Sequence, residues 1–157
     1  MRISLICIGK TEESYIKAGV GEYSTRISRY LPFEITEIPE LKNVSALSGA
    51  QIKEKEGQIL LKKWPPGAIV VLLDEHGKEY RSLDFAGFIQ ARMNQGIKHL
   101  AFIIGGSYGF GGDIIEKADY RLSLSKMTFS HQIVRILFTE QLYRSMTILR
   151  NEPYHNE

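Results

Sequence analysis

The chain has 157 residues, of which 43% are hydrophobic and 24% charged, with a formal net charge of +2 and a mean hydropathy of -0.16. That size and balance fit a single globular domain over residues 1–157 and exclude a disordered chain or a disulfide-stapled miniprotein. The lone cysteine, Cys7, cannot form an intramolecular disulfide, no leader-like segment opens the sequence, and no apolar run approaches the roughly 20 residues of a membrane-spanning helix. The expectation is a cytoplasmic chain with no membrane partner. A pI near 8.6 permits a nucleic-acid partner without demanding one.

In chain order, Ile3 to Ile8 is a continuous apolar run closed by Gly9-Lys10, the pattern of a strand buried on both faces of a parallel sheet. Tyr15, Ala18, Tyr23, Ile27 and Tyr30 return at three- and four-residue intervals before Pro32, which predicts a helix from about Ser14 to Tyr30. Phe33, Ile35 and Ile38 alternate loosely and predict an edge-like strand. Ser48 to Trp64 reads as an amphipathic helix whose Lys53-Glu54-Lys55-Glu56 run is expected to be a solvated face. Pro65-Pro66-Gly67 stops that helix, and Ala68 to Leu73 is the second buried strand, ended by Asp74-Glu75-His76-Gly77. Ser82 is the expected N-cap of a helix that runs to Gly96. Leu100 to Ile104 is the third buried strand, and Asp113 with Glu116 gives a capping-box-like start to a short helix. Tyr120 to Leu124 is a short strand. The last helix, from about Ser130 to Arg150, is expected to bury Ile133, Ile136, Leu137, Leu142, Met146 and Leu149. Strands alternating with helices in this way predict an α/β domain with a mostly parallel sheet covered by helices, in which ligands bind at the carboxyl ends of the strands.

Five glycines between positions 105 and 112 follow a buried strand directly, where a backbone must turn tightly or approach a ligand closely. The spacing supplies neither G-x-G-x-x-G nor the Gly-Lys-Ser/Thr of a phosphate-binding loop, and Asp113 would compete with a phosphate for the helix amides. A ligand without a phosphate suits the loop better. The four histidines are widely spaced and no H-E-x-x-H or C-x-x-C occurs, so no metal is expected.

The segment Phe102 to Gly109, the block Leu122-Ser123-Leu124-Ser125-Lys126-Met127-Thr128-Phe129-Ser130-His131-Gln132, Arg135, the stretch Glu140 to Arg144 and the terminal Pro153-Tyr154-His155 together resemble the ribosomal large subunit methyltransferase H family. The opening Ile6 to Lys10 and Lys53 to Gly57 resemble it too. Members usually carry proline where Ser130 stands, and a serine caps a helix equally well. The resemblance implies an S-adenosylmethionine-dependent methyltransferase of the SPOUT class, with a C-terminal trefoil knot that general topology rules would argue against. It also implies a homodimer that methylates N3 of a pseudouridine in 23S rRNA on the assembled ribosome.

Carried over by the resemblance, the cofactor residues are Leu73, Gly105, Leu124, Ser125, Lys126, Met127, Thr128 and Phe129. His155 is the candidate proton acceptor, with Tyr154 as a stacking or hydrogen-bonding partner; a disordered terminus is the alternative. His131, Arg135 and Arg144 are candidate RNA contacts. His131 and Arg135 share one helix face, which is equally the pattern of a simple surface pair. The stretch 121–150 sets five basic residues against Glu140 alone, a net +4, and Phe138, Leu142 and Met146 offer apolar area for dimerisation. A ribosome-associated binding protein without catalysis is the alternative function.

Overall fold

The computed structural model describes residues 1–156. Its elements alternate as the sequence predicts: β1 (Arg2–Ile8), α1 (Ser14–Ile27), β2 (Phe33–Ile38), α2 (Gly49–Lys62), β3 (Ile69–Glu79), α3 (Ser82–Asn94), β4 (His99–Ile104), α4 (Gly112–Lys117), β5 (Tyr120–Ser123) and α5 (Ile133–Leu149). The five strands form one wholly parallel sheet in the order β2-β1-β4-β3-β5. β1 and β4 are central and pair Leu5 with Phe102 and Cys7 with Ile104.

Successive residues of a strand point to opposite faces, and two cores result. On one face Ile3, Leu5 and Cys7 of β1 and Phe102 of β4 pack with Phe85 and Ile89 of α3 and Phe138 and Leu142 of α5. On the other, Ile6, Ile8, Val70 and Ile103 pack with Leu60 of α2 and Ile114 of α4. The buried strands are therefore apolar at nearly every position; the exceptions, Ser4 of β1 and His99 of β4, meet each other at 2.8 Å. Burial pushes the Cys7 thiol up to about 12, only partly offset by the nearby Arg135 charge, so Cys7 is a core side chain. No helix of the described residues is long and apolar enough to cross a membrane.

Several expectations change in the structure. Asp74 to Gly77 do not end β3: the strand continues to Glu79 past an irregularity between Leu73 and Lys78, on either side of which Leu122 of β5 is the partner. Gly77 makes that path possible, because a Cβ there would lie 2.6 Å from the Leu122 amide nitrogen. Arg81 rather than Ser82 holds the N-cap position of α3, while the Ser82 hydroxyl donates to Gln141 at 2.9 Å. α4 follows Gly111 with no side-chain cap. α2, by contrast, has a capping box in which Ser48 and Gln51 satisfy each other's amides.

Helix faces differ most. α1 buries Ile16, Val20 and Ile27, and Tyr15 is 60% exposed. α5 buries Arg135, Phe138, Thr139, Leu142, Ser145 and Met146, while Ile133 is 40% exposed. The reason is that α5 packs against both α1 and α3, and buried hydroxyls stay satisfied by bonding back into their own helix, as Thr139 and Ser145 do to the carbonyls of Arg135 and Gln141. Phe138, Leu142 and Met146 are thus core residues, which corrects the expectation that they offer apolar area for dimerisation.

Candidate functional site

The end of the buried half of β3 and the carboxyl end of β4 open into a cavity of about 430 Å³, a volume suited to a small-molecule ligand. β3 contributes Leu73, Asp74, Glu75 and His76; the loop after β4 contributes Gly105 to Phe110; the segment after β5 contributes Leu124, Ser125, Met127, Thr128 and Phe129; His131 and Val134 close it from the start of α5. This is where a parallel sheet leaves strand ends unobstructed. Gly109 turns the loop at a φ of +75°, and its amide donates to the Gly106 carbonyl at 3.0 Å, a tight turn that a side chain at Gly109 would strain.

Seven of the eight expected cofactor residues line this cavity. Lys126 does not: its side chain is 82% exposed and its ammonium lies 3.5 Å from Glu79. The loop after β5 is held by its own serines, with Ser123 donating to the Ser125 carbonyl at 2.8 Å and the Met127 amide donating to Ser125 Oγ at 3.0 Å. Met127 is consequently left 73% exposed, beside Phe129 and Tyr108, three large apolar surfaces around a polar-floored cavity.

The polar wall was not anticipated. Asp74 accepts the His76 amide at 3.0 Å and the Arg121 guanidinium at 2.7 Å. Burial works against its charge, but these donors outweigh it and hold the carboxyl below the usual aspartate range. Glu75 accepts the Thr128 hydroxyl at 3.0 Å, tying β3 to the loop after β5. Arg121 is engaged by Asp74, leaving Lys53 as the other lining cation. Two carboxylates, apolar flaps and a glycine loop suit a cationic ligand with hydroxyls better than a phosphate. The signal in the sequence was Asp74-Glu75-His76-Gly77 itself, directly after a buried strand.

Of the expected RNA contacts, His131 sits at the cavity wall, its Nδ1 3.4 Å from Ser107 Oγ and its Nε2 3.8 Å from Glu40 Oε1. Arg135 is 1% exposed and corrects the expectation of a surface contact: it donates to the Ile8 and Gly9 carbonyls, to Thr11 and to the His131 carbonyl. A guanidinium buried in that way fixes backbone and does not face phosphates. Arg144 donates to Glu140 at 2.5 Å and packs over the Tyr154 ring at 4.7 Å.

The terminal segment is ordered around the same carboxylate. Asn151 reverses the chain at a φ of 53°, Tyr154 stacks edge-on against Tyr143 at 4.7 Å and donates to Glu140 at 3.1 Å, and His155 Nδ1 lies 3.4 Å from Arg144. Burial, followed by its hydroxyl contact with Tyr23 and the Glu140 charge, pushes the Tyr154 phenol well up. Tyr154 and His155 do not line this cavity. Among the described residues, no group of three or more metal-ligating side chains converges.

Residues 1–155 match the family described as "Predicted SPOUT methyltransferase". The chain is similar to the Ribosomal RNA large subunit methyltransferase H of Parabacteroides distasonis, 51% identical over 100% of both chains, and to that of Flavobacterium johnsoniae, 50% identical over 100% of both. Among solved structures, a probable methyltransferase from Bordetella pertussis Tohama I shares the fold at a TM-score of 0.55, with 13% identity, 92% of this chain and 93% of that one covered.

Proposed function

This chain belongs to the SPOUT methyltransferase family, and we propose that it methylates large-subunit ribosomal RNA with S-adenosylmethionine as donor, at N3 of a pseudouridine in 23S rRNA on the assembled ribosome. The observation that carries the cofactor reading is the cavity itself: a glycine loop without a phosphate-binding lysine, faced by Asp74 and Glu75 and flanked by apolar side chains. Those residues fit a ligand that has an adenine, ribose hydroxyls and a positive charge but no phosphate.

When bound, the cofactor supplies an electrophilic methyl group on a sulfonium. Leu73, Leu124 and Met127 offer the adenine apolar surface, and the backbone at Gly105 and along Ser125, Thr128 and Phe129 offers hydrogen bonds to its edge. Asp74 and Glu75 offer carboxylate oxygens to a cationic ligand, while the lining cations Arg121 and Lys53 balance their formal charge. Lys126, outside the wall, is left for RNA phosphate.

The acceptor N3 carries a proton at neutral pH, so transfer requires a group that takes it. We assign this to His155, with Tyr154 stacking on or hydrogen-bonding to the target base. Since both lie away from their own subunit's cavity, the reading requires a homodimer in which each tail serves the other subunit's cavity, with Arg144 and Glu140 fixing the tail. Exposed Met127, Phe129 and Ile133 are the apolar area available for that contact. A C-terminal trefoil knot belongs to the same reading; the return of α5 to pack against α1 after β5 supports it. The proposal is completed by a cytoplasmic location, where ribosomes assemble.

The test is incubation of the protein with methyl-labelled cofactor and ribosomes that lack the modification. Label is expected at one pseudouridine of 23S rRNA; absence of transfer overturns the assignment.

A further inference from the structure

Glu56 stands out among the ionisable side chains. It lies on the inward face of α2, between Ile52 and Leu60, and is only 7% exposed, although the charged run that contains it reads as solvated. Its Oε2 is buried without a hydrogen-bond partner among the described residues. A Cβ built on Gly106 would meet both carboxyl oxygens at 2.5 Å, so the carboxyl group rests directly against the backbone of the loop that walls the cavity. Glu56 itself does not line the cavity. Gly106 is not in the left-handed region, so its lack of a side chain answers to this close approach and not to backbone conformation.

We propose that Glu56 is a positioning residue for the cofactor loop, its buried carboxyl group setting the height of the Gly106 backbone that faces the cavity. This inference rests on the cofactor reading above. A carboxylate here would be an unpaired buried charge, which folded proteins avoid; a neutral carboxyl of the same shape is far less costly to bury. Burial and then the neighbouring Glu40 carboxylate push the Glu56 pKa up, in agreement. The groups that face it are few. Lys53 lies one turn earlier on α2, Glu40 comes from the β2–α2 connection with His131 beyond it at 3.8 Å, the loop after β4 brings backbone, and α4 brings Ile114 beside Gly57.

The experiment measures binding of S-adenosylhomocysteine by calorimetry between pH 5.5 and 8.5, together with amide hydrogen exchange of residues 105–109 in the ligand-free protein, for wild type, E56Q and E56A. Wild-type affinity is expected to fall as pH rises and Glu56 gains charge. E56Q, which keeps the shape but cannot ionise, should remove that pH dependence and stay within roughly threefold of wild type at pH 6, while E56A should bind roughly tenfold more weakly and exchange the loop amides faster. A pH dependence that persists in E56Q would assign it to Glu40 or His131 and overturn the proposal. So would an E56Q as weak as E56A, or an E56A unchanged in both measurements. Should E56A not fold, G106A provides the same test: it should lose roughly tenfold in affinity, and adding E56D, which withdraws the carboxyl group by one methylene, should restore it; no restoration overturns the proposal. If wild type binds no S-adenosylhomocysteine at all, the cofactor reading fails, and the loop exchange rates of E56A and E56Q still decide whether Glu56 positions the loop.

Discussion

Arg135 of α5 donates to the carbonyl oxygens of Ile8 and Gly9 at 3.0 and 3.1 Å, so the last helix of the chain is fastened to the end of its first strand. The same guanidinium reaches Thr11 at 2.8 Å, whose amide and hydroxyl both donate to Glu37. Sequence positions more than 120 residues apart are thereby joined beside the cavity, and His131, one turn before Arg135, is placed on the cavity wall.

Arg135→Ala removes a buried charge and leaves these oxygens unpaired, and is expected to lower the unfolding free energy by about 3 kcal/mol. Urea denaturation checks it. A variant as stable as wild type but weaker on ribosomes would return Arg135 to the RNA surface.

Gly77→Ala places a methyl group against the Leu122 and Arg121 backbone, at 2.6 and 2.7 Å, where no rotamer change relieves the contact. The cost is expected to be about 2 kcal/mol, read as a lower midpoint in thermal or urea melts. Because β3 carries Asp74, Glu75 and His76 just before this glycine, cofactor affinity should fall as well; unchanged stability would contradict the close approach of β3 to β5.

Asp74 has a lowered pKa in the folded chain, so its contribution to stability is present above the ordinary aspartate value of about 3.9 and is lost as pH falls through the folded value. Asp74→Asn should therefore destabilise the protein by about 1.5 kcal/mol at pH 7, and the difference from wild type should shrink as the pH is taken below about 4. Parallel melts at several pH values measure it. A difference independent of pH would mean that the charge is not what Arg121 and the His76 amide recognise.

The tail and the cavity are expected to complement each other between subunits. His155→Ala should lower turnover far more than cofactor affinity, and Gly105→Trp, which fills the cavity, should be inactive alone. Mixed, denatured and refolded together, the two variants should recover roughly a quarter of wild-type activity, because half the dimers are mixed and each has one intact composite site. No recovery would place both functions in one subunit.

The sequence by itself determined the parallel sheet and the place of the candidate cavity. Strands such as Ile3–Ile8 and Leu100–Ile104 are buried on both faces, so nearly every position is apolar and the run is visible without knowledge of any partner. The glycine loop was visible for a similar local reason, since tight turns select glycine directly. The motifs that carry the family resemblance also lie in order along the chain, and the relatives that match its full length bear that family's name.

What the tertiary structure decided depends on neighbours that are distant in sequence. Arg135 and Glu56 look like surface charges because a helical spacing does not reveal which face another element covers; α5 covers Arg135 with the end of β1, and the loop after β4 covers Glu56. Likewise Ile133 is exposed and Phe138 buried because α1 and α3 both pack on α5, which selects a face that apolar periodicity alone does not. The continuation of β3 through Asp74 to Glu79 was hidden because the segment is polar and largely exposed, and only pairing with β5 keeps so polar a segment in the sheet.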